Sequence, residues 1–224
     1  MATSSPSVHV KVLFCGQQGV GKTSLVNRLR GYDFTSSVAA TIGAQNSEHK
    51  HKMIGHPDCS SLLGEVLVDL DFWDMQGQDL TAHIPSYFGR GAHIVFCVTK
   101  YPVNDESLSI AEKWLVEAQN ATKESAPIYL LVNMCDMCGV PGYDVGPEEE
   151  YKTKLDDFVT GRGRKFDASR IHGWCSTSAK ESINLPDYPM SKIESVAQRA
   201  PLEKSGGFTI NNNDAPKKKQ QCPC

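Results

Sequence analysis

Gly16-Gln17-Gln18-Gly19-Val20-Gly21-Lys22-Thr23 is the stretch on which the reading of this chain turns. It matches G-x-x-x-x-G-K-[ST] in full, between an apolar β-branched run at residues 9–15 and a helical pattern at 22–30. Glycines let consecutive backbone N–H groups curl around phosphate oxygens, and the N-terminus of the following helix adds its dipole. Gly19, Val20, Gly21 and Ser24 lie along that cradle. The Lys22 ammonium reaches towards β- and γ-phosphates, and the Thr23 hydroxyl ligates Mg²⁺. The competing reading is a chance Gly-rich turn, which the strand before and the helix after disfavour. Alone, the motif specifies a nucleotide binder and no particular base.

Outward from the loop, short apolar runs alternate with helical patterns. Runs of strand length fall at 9–15, 65–73, 93–99, 128–133 and 171–177, the second alternating Val66, Val68, Leu70 and Phe72 on one face. Helical spacing appears at 22–30, 108–121, 148–159 and 191–200. Such alternation predicts an α/β fold whose mostly parallel sheet is covered on both faces. Ligands of these sheets sit at the carboxyl ends of the strands, where every candidate motif of this chain falls.

The length of 224 residues suits one sizeable core rather than two ordinary domains. A content of 40% hydrophobic and 22% charged residues is that of a globular chain. The net charge of −3 supplies no global field for nucleic acid. Residues 1–7 show no leader-like pattern, and no stretch approaches the ~20 apolar residues of a membrane span, so a cytosolic chain is expected. Among the eight cysteines, Cys15, Cys97, Cys135 and Cys175 lie in or beside apolar runs as reduced, hydrophobic side chains.

Two further motifs follow later runs. Asp74-Met75-Gln76-Gly77-Gln78 places a carboxylate at a strand end, suited to hold Mg²⁺ through water, and a Gly77 N–H suited to a γ-phosphate. In Asn133-Met134-Cys135-Asp136 the carboxylate can accept both N–H groups of guanine, a pairing that adenine does not offer. Ser178-Ala179-Lys180 can lend a backbone N–H to the guanine oxygen. A mere turn is the alternative for Asn133 and Asp136, and it weakens once the motifs occur in this order.

With Thr41-Ile42-Gly43 and Thr177-Ser178-Ala179-Lys180 added, the set resembles the Ras superfamily in order and rough spacing, over residues 8–200 and the tail. Within it, Ser86-Tyr87-Phe88-Gly89-Arg90-Gly91-Ala92 and the ending Cys222-Pro223-Cys224 are similar to the Rab family. The resemblance implies a small G domain at 1–200 with a mostly parallel six-stranded sheet, and a flexible tail at 201–224. It implies GTP/GDP and Mg²⁺ as cofactors, with Thr41 closing on the γ-phosphate and the metal, and Phe34 edge-on to the base. Gln78 would orient the attacking water of a slow hydrolysis. Segments near 34–44 and 75–90 would be switches contacted by an exchange factor, a GTPase-activating protein and effectors of vesicle traffic. Cys222 and Cys224 would accept prenyl chains beside Lys217–Lys219, anchoring a monomer to the cytoplasmic face of membranes.

Departures set the rival readings. Met134 replaces the family's usual Lys, whose stem lies along the base and whose ammonium anchors to the phosphate loop. Gln76 stands where the family has Ala, and Gln18 where Gly or Ser is usual; both crowd the γ-phosphate. These three favour a nucleotide-holding scaffold with little turnover; Lys22, Thr23, Thr41, Asp74 and Gln78 favour the switch. A phosphate-loop kinase is disfavoured by Asn133-x-x-Asp136. Residues 44–64, with His49, His51, His56 and Cys59, read as a polar surface loop, the competing reading being a metal site. Cys135-x-x-Cys138 lacks a partner pair for zinc, and Trp114 reads as packing.

Overall fold

The computed structural model describes residues 6–37, 39–59, 64–77, 83–138 and 148–203. Six strands form one sheet: β1 (Ser7–Gly16), β2 (Ala44–Ile54), β3 (Glu65–Met75), β4 (Ile94–Lys100), β5 (Ile128–Asn133) and β6 (Ile171–Ser176). Their order is β2-β3-β1-β4-β5-β6, with β2 antiparallel to β3 and every other pair parallel. Helices α1 (Lys22–Leu29), α2 (Ser86–Gly89), α3 (Asp105–Ala121), α4 (Glu148–Val159) and α5 (Asp187–Ala197) connect or flank them. This is the α/β small G-domain architecture expected from the motifs.

The side-chain period of two explains both layers of the core. Val8, Val10, Val12 and Phe14 of β1 point to one face with Val66, Val68, Leu70 and Phe72 of β3. There they meet Leu25, Val26 and Leu29 of α1 and Met190, Ile193 and Ala197 of α5. Leu13 and Cys15 turn to the other face, under Leu108, Trp114 and Leu115 of α3 and Tyr151, Leu155 and Phe158 of α4. Strand β5, interior to the sheet between β4 and β6, is buried along its whole length, which is why it reads as a continuous apolar run. Burying one such large apolar side chain contributes about 1.5–3 kcal/mol. Trp114, buried in this second layer, packs as the sequence suggested.

Several boundaries move for local reasons. Helix α3 starts three residues before the apolar periodicity, because Asn104 caps it. Ser107 N–H donates to Asn104 Oδ1 at 2.8 Å, and Asn104 N–H donates to Ser107 Oγ at 2.9 Å. Helix α5 starts at Asp187 rather than 191 and ends at Ala197, its first turn already burying Pro189 and Met190.

The largest correction concerns residues 44–64. Positions 44–54, read as loop, form β2, paired with β3 from Ala44↔Met75 to Ile54↔Glu65. An edge strand needs no apolar run, since one side has no neighbour and its ladder is closed by β3 alone. Its side chains are mostly half-buried or exposed, with only Met53 reaching the core. The histidines are held individually. His51 Nε2 lies 2.6 Å from Glu194 Oε1 of α5, and the buried His56 places Nε2 3.0 Å from Ala200 O. Among the described residues, no group of three or more His, Cys, Asp or Glu side chains is arranged to hold a metal ion. At the far end of the chain, Glu203 N–H donates to Ser7 O at 2.8 Å, returning to the start of β1.

Candidate functional site

The site forms where β1, β3 and β5 end on the same edge of the sheet. The loop from Gly16 to Gly21 turns back through left-handed backbone at Gly19 (φ 75°) and Gly21 (φ 90°). Two glycines are required by contact as well. A Cβ on Gly16 would lie 2.1 Å from Val98 O of β4, and one on Gly77 would lie 2.3 Å from Gln18 N. The end of β3 therefore rests directly on the phosphate loop, an approach that only glycine permits.

Lys22, at the start of α1, is 6% exposed. Its ammonium donates to Gly16 O at 2.8 Å and to Gln17 O at 2.9 Å, so it sits inside the loop's curl. A buried cation in such a concavity is a strong anion-attracting charge. Beside it three oxygens converge. Thr23 Oγ1 donates to Asp74 Oδ2; Thr41 Oγ1 lies 3.0 Å from Thr23 Oγ1 and 3.4 Å from Asp74 Oδ2. Asp74 is 3% exposed, and its second oxygen, Oδ1, is buried without a hydrogen-bond partner. Burial raises the Asp74 carboxyl above its ordinary range; hydrogen bonding from Thr23, the Lys22 charge and Thr41 oppose the rise less strongly. A buried carboxylate with an orphaned oxygen, flanked by two hydroxyls, is the oxygen-rich donor set suited to a hard divalent cation such as Mg²⁺.

A cleft of about 330 Å³ opens over Lys22, Thr23 and Thr41. Its wall includes Gly19, Gly21, Ser24, Phe34, Gly77 and Met134, with Gln18 and Gln76 also exposed to it. Val20 is buried beneath the loop. Met134 takes left-handed backbone (φ 66°), and its Cε lies 3.8 Å from where a Gly21 Cβ would be. The Met134 methyl thus lies beside the phosphate loop, with no charged group reaching from this position.

Asn133, a candidate for the base-binding motif, makes a connection that the sequence did not indicate. Only 2% exposed, it donates from Nδ2 to Val20 O at 2.9 Å, while its Oδ1 accepts Ala179 N–H at 3.2 Å. One amide therefore staples the phosphate loop, the turn after β5 and the loop after β6. Its internal burial argues for a joining role rather than contact with ligand. Asp136 is half-exposed, accepting Ser178 Oγ–H at 2.6 Å. Lys180 pairs with Glu181 at 3.3 Å, and its carbonyl accepts from Arg28. The loop carrying Ser178, Ala179 and Lys180 connects to Asn133 through Ala179 N–H and to Asp136 through Ser178, next to Met134 at the cleft. Gln78, Cys222 and Cys224 lie outside the described residues. Cys135 and Cys175 are half-buried rather than core, unlike Cys15 and Cys97, and Cys138 is exposed, accepting from Tyr101 OH.

Comparison with known proteins agrees with this geometry. The family model described as Ras of Complex, Roc, domain of DAPkinase matches residues 11–136. The chain is 30% identical to the Ypt/Rab-type GTPase avaA of Emericella nidulans, over 99% of this chain and 100% of that one. It is 31% identical to the Ypt/Rab-type GTPase Rab7 of Neurospora crassa (92% and 91% covered). It is also 28% identical to the Ras-related protein Rab-3 of Caenorhabditis elegans (96% and 90%). A phosphate loop, a buried carboxylate at the end of β3 and an Asn133 staple at the end of β5, on a six-stranded sheet and with relatives of full length, lead to one conclusion: the chain belongs to the Ras superfamily of small GTPases, as a divergent Rab-like member.

Proposed function

We propose that the chain is a guanine-nucleotide switch that binds GTP and GDP with Mg²⁺ and hydrolyses GTP slowly. The observation that carries this reading is the meeting of Thr23, Thr41 and Asp74 beside the buried Lys22 ammonium. When bound, Mg²⁺ would neutralise charge between the β- and γ-phosphates. Thr23 and Thr41 would hold it directly and Asp74 through water, while Gly19, Val20, Gly21, Ser24 and Lys22 would cradle the phosphates. Thr41 stands on the segment before β2 and Asp74 at the end of β3, so both flanking segments answer to the same point. That linkage is what a phosphate-dependent order–disorder switch requires. Phe34 would face the base, Asp136 would read its N–H groups, Ser178, Ala179 and Lys180 would face its oxygen, and Gln78 would orient water.

The switch segments would recruit effectors and regulators of membrane traffic. Cys222 and Cys224, with the lysines before them, would anchor the chain to a membrane surface, since stable attachment takes a second signal, a further lipid chain or a basic patch, beside the first chain. Among the described residues no helix is long and apolar enough to cross a membrane. The test is the nucleotide content of the protein purified in Mg²⁺, extracted and separated by chromatography. Stoichiometric GDP or GTP supports the reading; adenine nucleotide, or none, overturns it.

A further inference from the structure

Resting on that reading, we propose that Gln76 is a positioning residue, holding the segment that carries Thr41 against Thr23 and Asp74. Gly43 N–H donates to the Gln76 side-chain Oε1 at 2.6 Å, and Gln76 N–H donates to Gly43 O at 2.7 Å. The β2–β3 ladder proper begins at Ala44↔Met75. These two bonds therefore add a further rung, one half of which is made by a carboxamide. Gly43 takes φ 72°, the left-handed region, which turns its amide towards Gln76 while the chain leads back to Thr41 two residues earlier. Thr41 in turn contacts Thr23 and Asp74, and Asp74 lies two residues before Gln76. The contacts close a ring: Asp74, Gln76, Gly43, Thr41 and back to Asp74.

The ring consists of protein atoms alone, so its contribution is the same whichever nucleotide is held. A ligand shifts a conformational equilibrium only by its differential affinity for the two states. A tie that already favours the closed segment therefore raises the closed fraction of the GTP- and GDP-bound forms alike. It also keeps Thr41 beside the metal position, which slows Mg²⁺ loss. A side chain ending at Cβ does not reach the Gly43 amide, so the tie depends on the length and acceptor of Gln76. Loss of one ordinary hydrogen bond corresponds to roughly a 2- to 10-fold change in the equilibrium it biases.

The test uses the full-length chain and Gln76→Met, which keeps the stem and removes the acceptor, with Gln76→Ala as a second variant. Release of a fluorescent GDP is followed across a Mg²⁺ titration. The Mg²⁺ concentration that half-maximally slows release should rise about 2- to 10-fold in both variants, with equal rates in excess EDTA. In a Thr41→Ala background the Gln76 substitutions should add nothing further, because the tie acts through Thr41. An unchanged Mg²⁺ midpoint, or effects that add in full to Thr41→Ala, overturns the proposal. Hydrogen exchange over residues 41–45 without added nucleotide separates this from the nucleotide reading. Faster exchange in Gln76→Met upholds the tie even if no guanine nucleotide is retained, and unchanged exchange refutes it.

Discussion

Replacing Asp74 with Asn should make the nucleotide-stripped protein more stable and the loaded protein less so. The carboxylate is 3% exposed, and its Oδ1 has no hydrogen-bond partner. Leaving a buried polar group unsatisfied costs about 1–3 kcal/mol. Asn retains an oxygen for Thr23 and Thr41 but leaves its amide nitrogen near the Oδ1 position, so the gain from losing the charge falls in the lower part of that range. At ~1–2 kcal/mol and ~2–4 °C per kcal/mol for a domain of this size, the midpoint in EDTA should rise by about 2–8 °C. The pH dependence follows from burial raising the Asp74 carboxyl. The folded chain then holds a proton that the unfolded chain has lost above ~3.9, so stripped wild type loses stability as pH rises from there towards the raised native value. Above that value the loss is complete and constant; Asn removes this component. With Mg²⁺ and GDP at ~100 times their dissociation constant, wild type should gain ~2.7 kcal/mol, and Asp74→Asn markedly less. Differential scanning calorimetry in EDTA and in Mg²⁺·GDP reads both. A lower midpoint for Asn in EDTA refutes the argument, since attraction to Lys22 would then outweigh burial. An undiminished Mg²⁺·GDP shift removes Asp74 from the metal site.

Three other outcomes are expected. Met134→Lys should slow GDP release several-fold, because the side chain at 134 lies beside the phosphate loop and an ammonium there would add charge-assisted hydrogen bonds; unchanged release would show that Asn133 already supplies the link. Asn133→Ala should cost about 2–3 kcal/mol by urea denaturation, since it orphans the buried groups at Val20 and Ala179; a cost under ~0.5 kcal/mol would mean water replaces the amide. Replacing both Cys222 and Cys224 with Ser should move the chain from the membrane to the soluble fraction of a cell lysate, and persistent sedimentation with membranes would end the lipid-anchor reading.

Some of this molecule is written locally. The β1, β3, β4 and β5 strands carry enough Val, Ile, Leu and Phe to be buried on one or both faces, so period and composition reveal them. The phosphate loop is legible for a related reason: backbone that must turn through positive φ and admit close neighbours leaves glycine little alternative at Gly16, Gly19 and Gly21. Other features depend on partners distant in sequence, and no local pattern encodes them. Strand β2 carries Glu, His and Lys because it lies at a sheet edge, and its strand character comes from β3 rather than from its own apolar residues. Asn133 marks a motif in the sequence, yet its bonds to Val20 and Ala179, 113 and 46 residues away, exist only once β1, β5 and β6 end together. In the sequence, Gln76 reads as a bulky residue where the family has Ala, crowding the γ-phosphate. Folding brings Gly43 within 2.6 Å of its carboxamide, because the antiparallel register of β2 on β3 sets the two ends side by side.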